Sequence, residues 1–260
     1  MRILVLGDII GRPGVRAVVS ALRGLIKQHR ADMVIVNGEN ADEGFGISPE
    51  IAEQLFKVGA DVITTGNHVW QHDEIGPLLD ANPRVLRPDN YPGDVPGSGL
   101  YIHEGHAGSV AVINLQGRER LPAIDCPFRR ARELVKRIRN QVQAIVVDFH
   151  AESSEEKEAI AHYLDGDVTL VYGTHTHVAT ADERVLPGGT ACLTDIGACG
   201  PDLRVSGFNP EVSVRRVLTQ LPLRNEVADR PATLHGLVVE TESESMAASS
   251  IERIEFRSLI

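Results

Sequence analysis

Five short apolar runs form the clearest pattern in this chain, and each is followed within a few residues by a side chain that can bind a metal ion. The runs are rich in β-branched residues and bounded by glycine or polar residues, which is typical of buried strands. They cover residues 3–6, 34–36, 62–63, 144–147 and 168–171. The pattern therefore predicts five buried strands with polar carboxyl ends.

Helical patterns separate the first three of these strands. A helix is predicted over residues 15–28, and another begins near Ser48, which suits the N-cap, with Pro49 at the first helical position. Strands that alternate with helices in this way predict βαβ units and a largely parallel sheet in the first part of the chain.

A second sheet is predicted from the middle of the chain. Residues 82–99 are rich in proline and glycine, which predicts a long loop. Two strands follow, at 100–103 and 109–115, and their tight glycine-containing connection favours antiparallel pairing. A basic helix over 129–140 then leads to the fourth apolar run.

The remaining elements complete a layered fold. Ser153 and Glu156 have the spacing of a capping box, which predicts the start of a helix. Further strands are predicted at 190–194, 234–239 and 251–256, with a polar hairpin loop at 240–250. Together these patterns predict an α/β protein of two packed sheets with helices outside both, in one domain.

Composition limits the classes of function. The formal net charge of −10 disfavours a broad surface for long duplex nucleic acid, although bound cations would still attract a small anionic substrate. No apolar run reaches the roughly 20 residues of a membrane helix. The three cysteines form no CxxC pair and leave an odd thiol, so no disulfide framework is expected. We expect a cytoplasmic protein with no membrane partner.

The polar residues after the apolar runs predict a metal centre. Ligands in open α/β sheets collect at the carboxyl ends of strands, so these side chains are expected to meet. The mixture of carboxylates, amides and imidazoles suits manganese, iron or zinc better than calcium or a structural zinc site. The candidates are Asp8, Glu39, Asn40, Asn67, His68, His150, His175 and His177. They exceed the needs of one ion, and a carboxylate such as Glu39 can bridge two ions.

Each candidate also has an ordinary structural explanation. Asp8 alone is more often a turn former or a helix cap. His150 alone is more often a core histidine, and the spacing of His175 and His177 has about even odds of marking a metal pair. Five separate strand ends would have to imitate one site for all these explanations to hold, so the set as a whole favours a metal centre.

The short segments that contain these candidates resemble, in order along the chain, the sequence motifs of the calcineurin-like metallophosphoesterases and, more narrowly, of the YmdB family. The matching segments are residues 7–8, 36–41, 65–70, 148–152, 173–178 and 194–197, and the resemblance extends from Met1 to about Pro210. It implies a four-layer αββα sandwich of two mixed β-sheets flanked by helices. A single metallophosphoesterase domain over residues 1–260 is expected.

The resemblance also implies how the ligands are shared between two ions. One ion would be held by Asp8, Glu39, Asn40 and His177, and the other by Glu39, Asn67, His150 and His175. The superfamily usually has histidine where Ile10 stands and aspartate where Glu39 stands. Asn40 would compensate for the missing imidazole and leave the first site weaker. Iron or manganese is the implied metal, with zinc as an alternative.

The activity implied by the resemblance is that of a phosphodiesterase acting on cyclic nucleotides. The 2′,3′-cyclic nucleotides are the expected substrates, and 3′,5′-cyclic nucleotides are also considered. A metal-bound hydroxide would attack phosphorus in line with the leaving ribose oxygen. His68, adjacent to the ligand Asn67, would protonate the leaving group as general acid.

Three alternatives remain open at this point. They are a phosphomonoesterase on the same scaffold, a metal-dependent amidohydrolase with an HxH pair, and a metal-binding regulator of RNA processing. A homo-oligomer is also left open. Cys199 is expected in a loop near the site as a buried, inert thiol. The other histidines are expected to be surface or structural residues, and the loop arginines at 12, 87, 118 and 120 are expected to be solvated surface charges.

Overall fold

The computed structural model describes residues 1–242 and 245–258. The helices are α1 (Gly11–His29), α2 (Pro49–Val58), α3 (Ile75–Ala81), α4 (Pro127–Ile138), α5 (Ser154–Tyr163) and α6 (Pro210–Thr219). The strands are β1 (Arg2–Ile10), β2 (Met33–Asn40), β3 (Val62–Thr64), β4 (Leu100–Gly105), β5 (Gly108–Gln116), β6 (Ala144–His150), β7 (Leu170–Thr174), β8 (Arg184–Val185), β9 (Ala191–Leu193), β10 (Ala198–Pro201), β11 (Ala232–Thr241) and β12 (Ala248–Arg257).

The strands form two six-stranded mixed sheets. Sheet A has the order β12-β11-β10-β1-β2-β3, with β11 also pairing with β1, and sheet B has the order β4-β5-β6-β7-β9-β8. In sheet A the strands β10, β1, β2 and β3 are parallel, and β11 pairs antiparallel with β10, with β1 and with β12. In sheet B the central strands β5, β6, β7 and β9 are parallel, and β4 and β8 are antiparallel edges.

Three hydrophobic layers hold these elements together. Helices α1, α2 and α3 cover the outer face of sheet A, and α4 and α5 cover the outer face of sheet B. The inner faces of the two sheets pack on each other. The predicted four-layer αββα arrangement is therefore confirmed, and the two open sheets differ from the closed barrel that the amidohydrolase alternative requires.

Burial on both faces explains the continuous apolar runs. In β1, Ile3 and Val5 face sheet B while Leu4 and Leu6 face the helices, and all four are fully buried. A strand covered on both sides cannot alternate between apolar and polar residues. The parallel β1-β2-β3 arrangement confirms the βαβ prediction for the first part of the chain.

Several predicted boundaries needed correction. β1, β2 and β6 extend through their polar ends to Ile10, Asn40 and His150, so several candidate ligands lie in strands and not after them. α1 begins at Gly11, earlier than predicted. The short strands β8 and β10 and the helix α6 were missed, because none of them has a long apolar or amphipathic run.

The capping predictions were only partly right. Ser48 and Ser153 are both N-cap residues, but only Ser153 caps with its side chain, its Oγ accepting a hydrogen bond from Glu156 N at 3.3 Å. The Glu156 carboxylate does not complete a capping box. It accepts hydrogen bonds from the backbone N–H groups of Arg118 and Glu119 instead.

Cys199 lies in β10, not in a loop as predicted. It is fully buried, and its Sγ donates to the carbonyl of His235 at 3.3 Å. Burial raises the pKa of the Cys199 thiol to about 12, which leaves it protonated and chemically inert near neutral pH.

The carboxyl-terminal hairpin is close to its prediction. β11 ends at Thr241 and β12 begins at Ala248, while residues 243–244 of the predicted hairpin loop lie outside the described residues. No helix in the described part of the chain has the length and apolarity to span a bilayer. The single-domain assignment of residues 1–260 stays a prediction.

Candidate metal centre

The inner faces of both sheets change from apolar to polar at the same end. In β2 the inward positions run Ile35, Asn37, Glu39, and in β6 they run Val146, Asp148, His150. Successive inward residues are two apart in a strand, so each strand delivers a row of polar side chains beyond its apolar half. These rows meet at the carboxyl ends of the parallel strands, and all four polar side chains are fully buried.

A break in the regular pairing of β1 brings Asp8 into this region. The register between β1 and β2 shifts on both sides of Asp8. Glycine is required at position 7, because a Cβ there would lie 1.9 Å from the Gly197 carbonyl oxygen. The Asp8 N–H donates to that carbonyl at 3.2 Å, and Asp8 Oδ2 accepts from the His175 N–H at 3.2 Å.

One half of the centre is built around His150. Its Nε2 atom lies 3.1 Å from each of Glu39 Oε1, Asn67 Oδ1 and His175 Nδ1. Donor atoms that share an ion at about 2.1 Å lie roughly 3.0–3.4 Å apart in octahedral or tetrahedral geometry. The ligand atoms of Glu39, His150 and His175 all lie within 4.8 Å of one another. These four side chains therefore match the spacing of a common metal ion.

The other half is built around His177. Its Nε2 lies 3.1 Å from Asn40 Nδ2 and 3.8 Å from Asp8 Oδ1, while its Nδ1 contacts the Ser206 carbonyl at 3.1 Å. A proton on Nδ1 toward Ser206 leaves the Nε2 lone pair facing Asp8 and Asn40. Because an amide binds a metal through oxygen, ligation by Asn40 requires its amide plane to be turned relative to this arrangement.

The two buried carboxylates lack partners that a cation would supply. Asp8 Oδ1 and Glu39 Oε2 are buried and make no hydrogen bond within the described residues. Burial raises the pKa of Asp8 to about 8, against the opposing charge of His150. Burial also disfavours the charged form of Glu39, but its contacts with His150 and His68 outweigh burial and hold its pKa well below the usual range. Buried carboxylate oxygens of this kind fit a cation.

The three imidazoles differ in their readiness to bind. Burial lowers the pKa of His175 to about 3 and that of His177 to about 4, so both rings present lone pairs near neutral pH. Burial acts the same way on His150, but the charge of Glu39 prevails and raises its pKa to about 9. A ligating imidazole must be neutral, so a cation at His150 takes the place of a proton. The donor set fits metal ions, and a candidate metal site is present.

His68 stands at the edge of these residues. Its side chain is 29% exposed, and its Nδ1 lies 2.9 Å from Asn40 Oδ1 and 3.1 Å from Glu39 Oε1. The ring of Phe45 packs edge-on at 5.0 Å and is itself stacked on Phe208. Within the described residues, Nε2 makes no hydrogen bond. The ring is therefore fixed on one side and free to meet a ligand on the other.

A buried network beneath His150 was not predicted. His150 Nδ1 lies 2.9 Å from Thr174 Oγ1, which donates to Asp148 Oδ1 at 2.7 Å. Asn37 and Thr64 of sheet A donate to the other oxygen of Asp148. The signal that could have identified Asp148 and Asn37 is the spacing of two residues before His150 and Glu39. Thr174 and Thr64 carry no such signal.

His72 is a structural residue, as predicted, whereas Arg87 is buried in its loop and is not the solvated surface charge that was predicted. Arg87 donates to three backbone carbonyls of its own loop, those of Pro88, Pro96 and Gly97. His72 Nε2 contacts the carbonyl of Phe45 at 2.8 Å. Neither residue joins the candidate metal centre.

The fold and this site define a calcineurin-like metallophosphoesterase. At the level of the fold alone, the chain is similar to the calcineurin-like phosphoesterase YfkN from Bacillus subtilis, with a TM-score of 0.53 and 11% identity over 99% of this chain and 90% of that one. It is much closer to a novel phosphatase from Mycoplasma pneumoniae, with a TM-score of 0.93 and 33% identity over 99% and 94%.

The sequence comparisons identify the family. The model of the YmdB-like protein family matches residues 4–254, and the chain belongs to that family. A relative from Bacillus subtilis strain 168, named 2′,3′-cyclic-nucleotide 2′-phosphodiesterase, is 42% identical over 254 residues, which cover 98% of this chain and 96% of the relative. The resemblance stated from the sequence motifs is confirmed.

Proposed function

We propose that this chain is a binuclear metal-dependent phosphodiesterase that hydrolyses 2′,3′-cyclic nucleotides. The observation that carries the proposal is the meeting of seven predicted ligands from five strand ends and the loops after them around two buried carboxylate oxygens that make no hydrogen bond within the described residues. The 2′,3′-cyclic substrate class is supported by the name of the Bacillus subtilis relative, which matches nearly the whole chain.

The ligands divide between two ions in this proposal. Asp8, Glu39, Asn40 and His177 would hold one ion, and Glu39, Asn67, His150 and His175 would hold the other. The distances around His150 and around His177 support this division, in which Glu39 would be common to both sets. A mixed set of oxygen and nitrogen donors favours iron or manganese, with zinc as an alternative. When bound, the ions neutralise phosphate charge and lower the pKa of a water molecule.

His68 supplies the proton in the proposed reaction. The water gives up one proton to solvent, a bond forms between its oxygen and phosphorus, and the in-line bond from phosphorus to a ribose oxygen breaks. The leaving oxygen takes a proton from His68 Nε2, and this nitrogen is the free side of the ring. The acceptor oxygen of Glu39 holds a proton on Nδ1 and so aims Nε2 away from the ligands.

Two bound cations would also favour an anionic substrate. Two divalent cations against the charges of Asp8, Glu39 and one hydroxide leave a local charge of about +1, although the whole chain carries −10. A phosphodiester with one negative charge matches this local field.

The test is a substrate panel on protein loaded with Mn²⁺ or Fe²⁺ and analysed for metal content. We expect hydrolysis of 2′,3′-cyclic nucleotides to a nucleoside monophosphate, with slower turnover of 3′,5′-cyclic nucleotides and of nucleoside monophosphates. Faster release of phosphate from monoesters than from cyclic diesters would instead establish the phosphomonoesterase alternative. Metal binding without turnover of any phosphoester would favour the regulatory alternative.

A further inference from the structure

A buried ion pair lies beneath the loop that carries His175 and His177. Lys157 Nζ donates to Asp195 Oδ2 at 2.6 Å, and both side chains are only 2% exposed. Neither residue contacts the candidate ligand atoms directly. Lys157 comes from α5, and Asp195 from the connection between β9 and β10.

Asp195 uses both carboxylate oxygens to hold backbone on two sides. Its Oδ2 also accepts from the hydroxyl of Thr176 at 2.8 Å and from the Thr176 N–H at 3.3 Å. Its Oδ1 accepts from the Gly197 N–H at 2.8 Å. Thr176 lies between the two histidines, so the Asp195 carboxylate is hydrogen-bonded to the middle of the loop.

The backbone of Asp195 closes the same loop at its far end. The Asp195 N–H donates to Thr180 Oγ1 at 2.9 Å, and the Thr180 N–H donates to the Asp195 carbonyl at 3.0 Å. The loop therefore has two attachments to a single residue. One attachment is through the side chain and the other is through the main chain.

The loop needs this support because its backbone is unfavourable. His175 has φ 98° and His177 has φ 63°, which lie in the left-handed region that non-glycine residues rarely adopt. A strained conformation persists only when its surroundings determine it. The contact of the His175 N–H with Asp8 and that of His177 Nδ1 with Ser206 hold these two residues, and the contacts to Asp195 hold the backbone between them.

Lys157 also fixes the strand that leads into the loop. A Cβ at Gly173 would lie 2.7 Å from Lys157 Cδ and 1.9 Å from the carbonyl oxygen of Thr194, so the lysine stem packs directly on the end of β7. The Gly173 carbonyl accepts from the Ile196 N–H at 2.9 Å. The ammonium group then meets Asp195 at the point where β7, α5 and the loop join.

The same connection reaches Asp8 on the other sheet. Gly197, which donates to Asp195, accepts a hydrogen bond from the Asp8 N–H at 3.2 Å. Asp195 thus links the imidazole loop of sheet B to the carboxylate of sheet A through one short segment. Through Thr176 and Gly197, Asp195 is connected to the backbone of three predicted ligands, which are His175, His177 and Asp8.

We propose that Lys157 and Asp195 are positioning residues that preset His175, His177 and Asp8 for metal binding. This inference rests on the proposed function only in taking these three residues as metal ligands. The ion pair would affect metal binding by holding the loop that carries the histidines, and not by contact with the metal ions. The competing explanation is that the pair stabilises the fold and has no bearing on the metals.

The test measures Mn²⁺ affinity and the visible absorption spectrum of the Co²⁺-loaded protein, at a temperature where every variant is folded. Asp195→Asn keeps the shape of the side chain but replaces an acceptor oxygen with a donor, so one of its contacts is lost. We expect Mn²⁺ affinity to fall roughly 10–100-fold, as is typical when a residue that orients ligands is changed. The Co²⁺ bands should shift because the imidazole geometry changes.

A double variant keeps the test decisive if Asp195→Asn folds poorly. Lys157→Met combined with Asp195→Asn removes both buried charges, a change that proteins often tolerate. It still leaves only one acceptor oxygen for Thr176 and Gly197, so the weaker Mn²⁺ affinity and the altered Co²⁺ spectrum should remain.

Asp165→Asn is the matched control. Asp165 accepts from the backbone N–H groups of Gly188 at 2.8 Å and Thr190 at 3.3 Å, away from the metal ligands. This variant should lose stability with Mn²⁺ affinity and the Co²⁺ spectrum unchanged.

The outcomes separate this proposal from the function. Wild-type Mn²⁺ affinity and an unchanged Co²⁺ spectrum in the folded Asp195 variants would overturn the positioning role, as would a wild-type protein that binds no metal. A protein that binds Mn²⁺ tightly but leaves every cyclic nucleotide intact would contradict the function alone, and a weaker affinity in Asp195→Asn would still support the positioning role.

Discussion

The two sheets contribute different chemistry to the candidate metal centre. Sheet A brings the oxygen donors, which are Asp8, Glu39, Asn40 and Asn67. Sheet B brings the imidazoles, which are His150, His175 and His177. Three of the oxygen donors lie within the parallel strands β1 and β2, and Asn67 lies in the loop after β3, whereas two of the three imidazoles lie beyond β7 in a loop with left-handed residues.

The ligands of the two sheets are also held in place in different ways. Backbone pairing places Glu39 and Asn40, which belong to β2, and the shift in register around Asp8 places that carboxylate. In sheet B, pairing places His150 in β6, but the orientation of the rings and the loop beyond β7 depend on further hydrogen bonds. Thr174 orients His150, the carbonyl of Ser206 orients His177, and the buried ion pair supports the loop between them.

Removal of the metal ions should have the largest effect, because it acts on both halves together. Chelation should lower cyclic phosphodiesterase activity about 10⁴-fold or more, since free water has a pKa of about 15.7 and is a poor nucleophile. Mn²⁺ should restore activity to the wild-type chain but not to His150→Ala. The measurement is turnover together with elemental analysis, with exposed His106→Ala as control. Full activity in metal-free protein would disprove the metal centre.

His68→Ala should lower turnover by about 10²–10⁴, because the leaving oxygen loses its proton donor. Metal content should be unchanged, since His68 is not assigned as a ligand. The variant therefore distinguishes loss of the proton donor from loss of the metal ligands around it. Turnover is measured at saturating substrate, with the metal content of the same samples as control. Wild-type turnover in His68→Ala would remove the residue from the mechanism.

Thr174→Val should weaken Mn²⁺ affinity roughly 10–100-fold, because His150 loses the partner that orients its ring. Thr64→Val is the matched control from sheet A. Both threonines donate to Asp148, but only Thr174 also contacts His150. Each variant should lose about 1 kcal/mol of unfolding free energy. Competition with a chelator measures the affinities, and equal affinities in the two variants would refute the proposed orientation of His150 by Thr174.

The smallest expected difference concerns α2, which connects two strands of sheet A, and α5, which connects two strands of sheet B. Ser153→Ala should cost about 1 kcal/mol of unfolding free energy, because Ser153 caps α5 with its hydroxyl. Ser48→Ala should cost only a few tenths, roughly, since Ser48 makes no such bond at α2. Urea unfolding measures both, and neither should change Mn²⁺ affinity. Equal losses would mean that the hydroxyl of Ser153 does not stabilise α5.

The sequence was a good guide to the elements of this fold wherever a pattern was long. The apolar runs located β1, β2, β3, β6 and β7, because strands buried on both faces leave a continuous signal. β8 and β10, with two and four residues, were missed for lack of any such signal. The prediction that Ser153 caps α5 was right. The predicted return contact from the Glu156 carboxylate was wrong, because that carboxylate binds the backbone of Arg118 and Glu119.

The predicted ligands came together for a similar reason. Polar residues after buried strands stand out locally, and parallel strands bring their carboxyl ends to one edge. The supporting residues do not stand out. Asp148 meets Asn37 across 111 positions of sequence, and Asp195 meets Lys157 across 38. A contact between separate elements leaves no periodic trace in a single sequence.

The sequence by itself therefore determined the chemical types of the candidate ligands, the strands that carry them and the family. Local forces control these features, since strand burial, helix starts and the motifs all involve neighbouring residues. The folded arrangement was needed to see that sheet A supplies the oxygen donors and sheet B the imidazoles. It was also needed to see that Asp195 connects the histidine loop of sheet B to Asp8 of sheet A. Such pairings depend on how distant elements pack, and packing is a property of the whole chain.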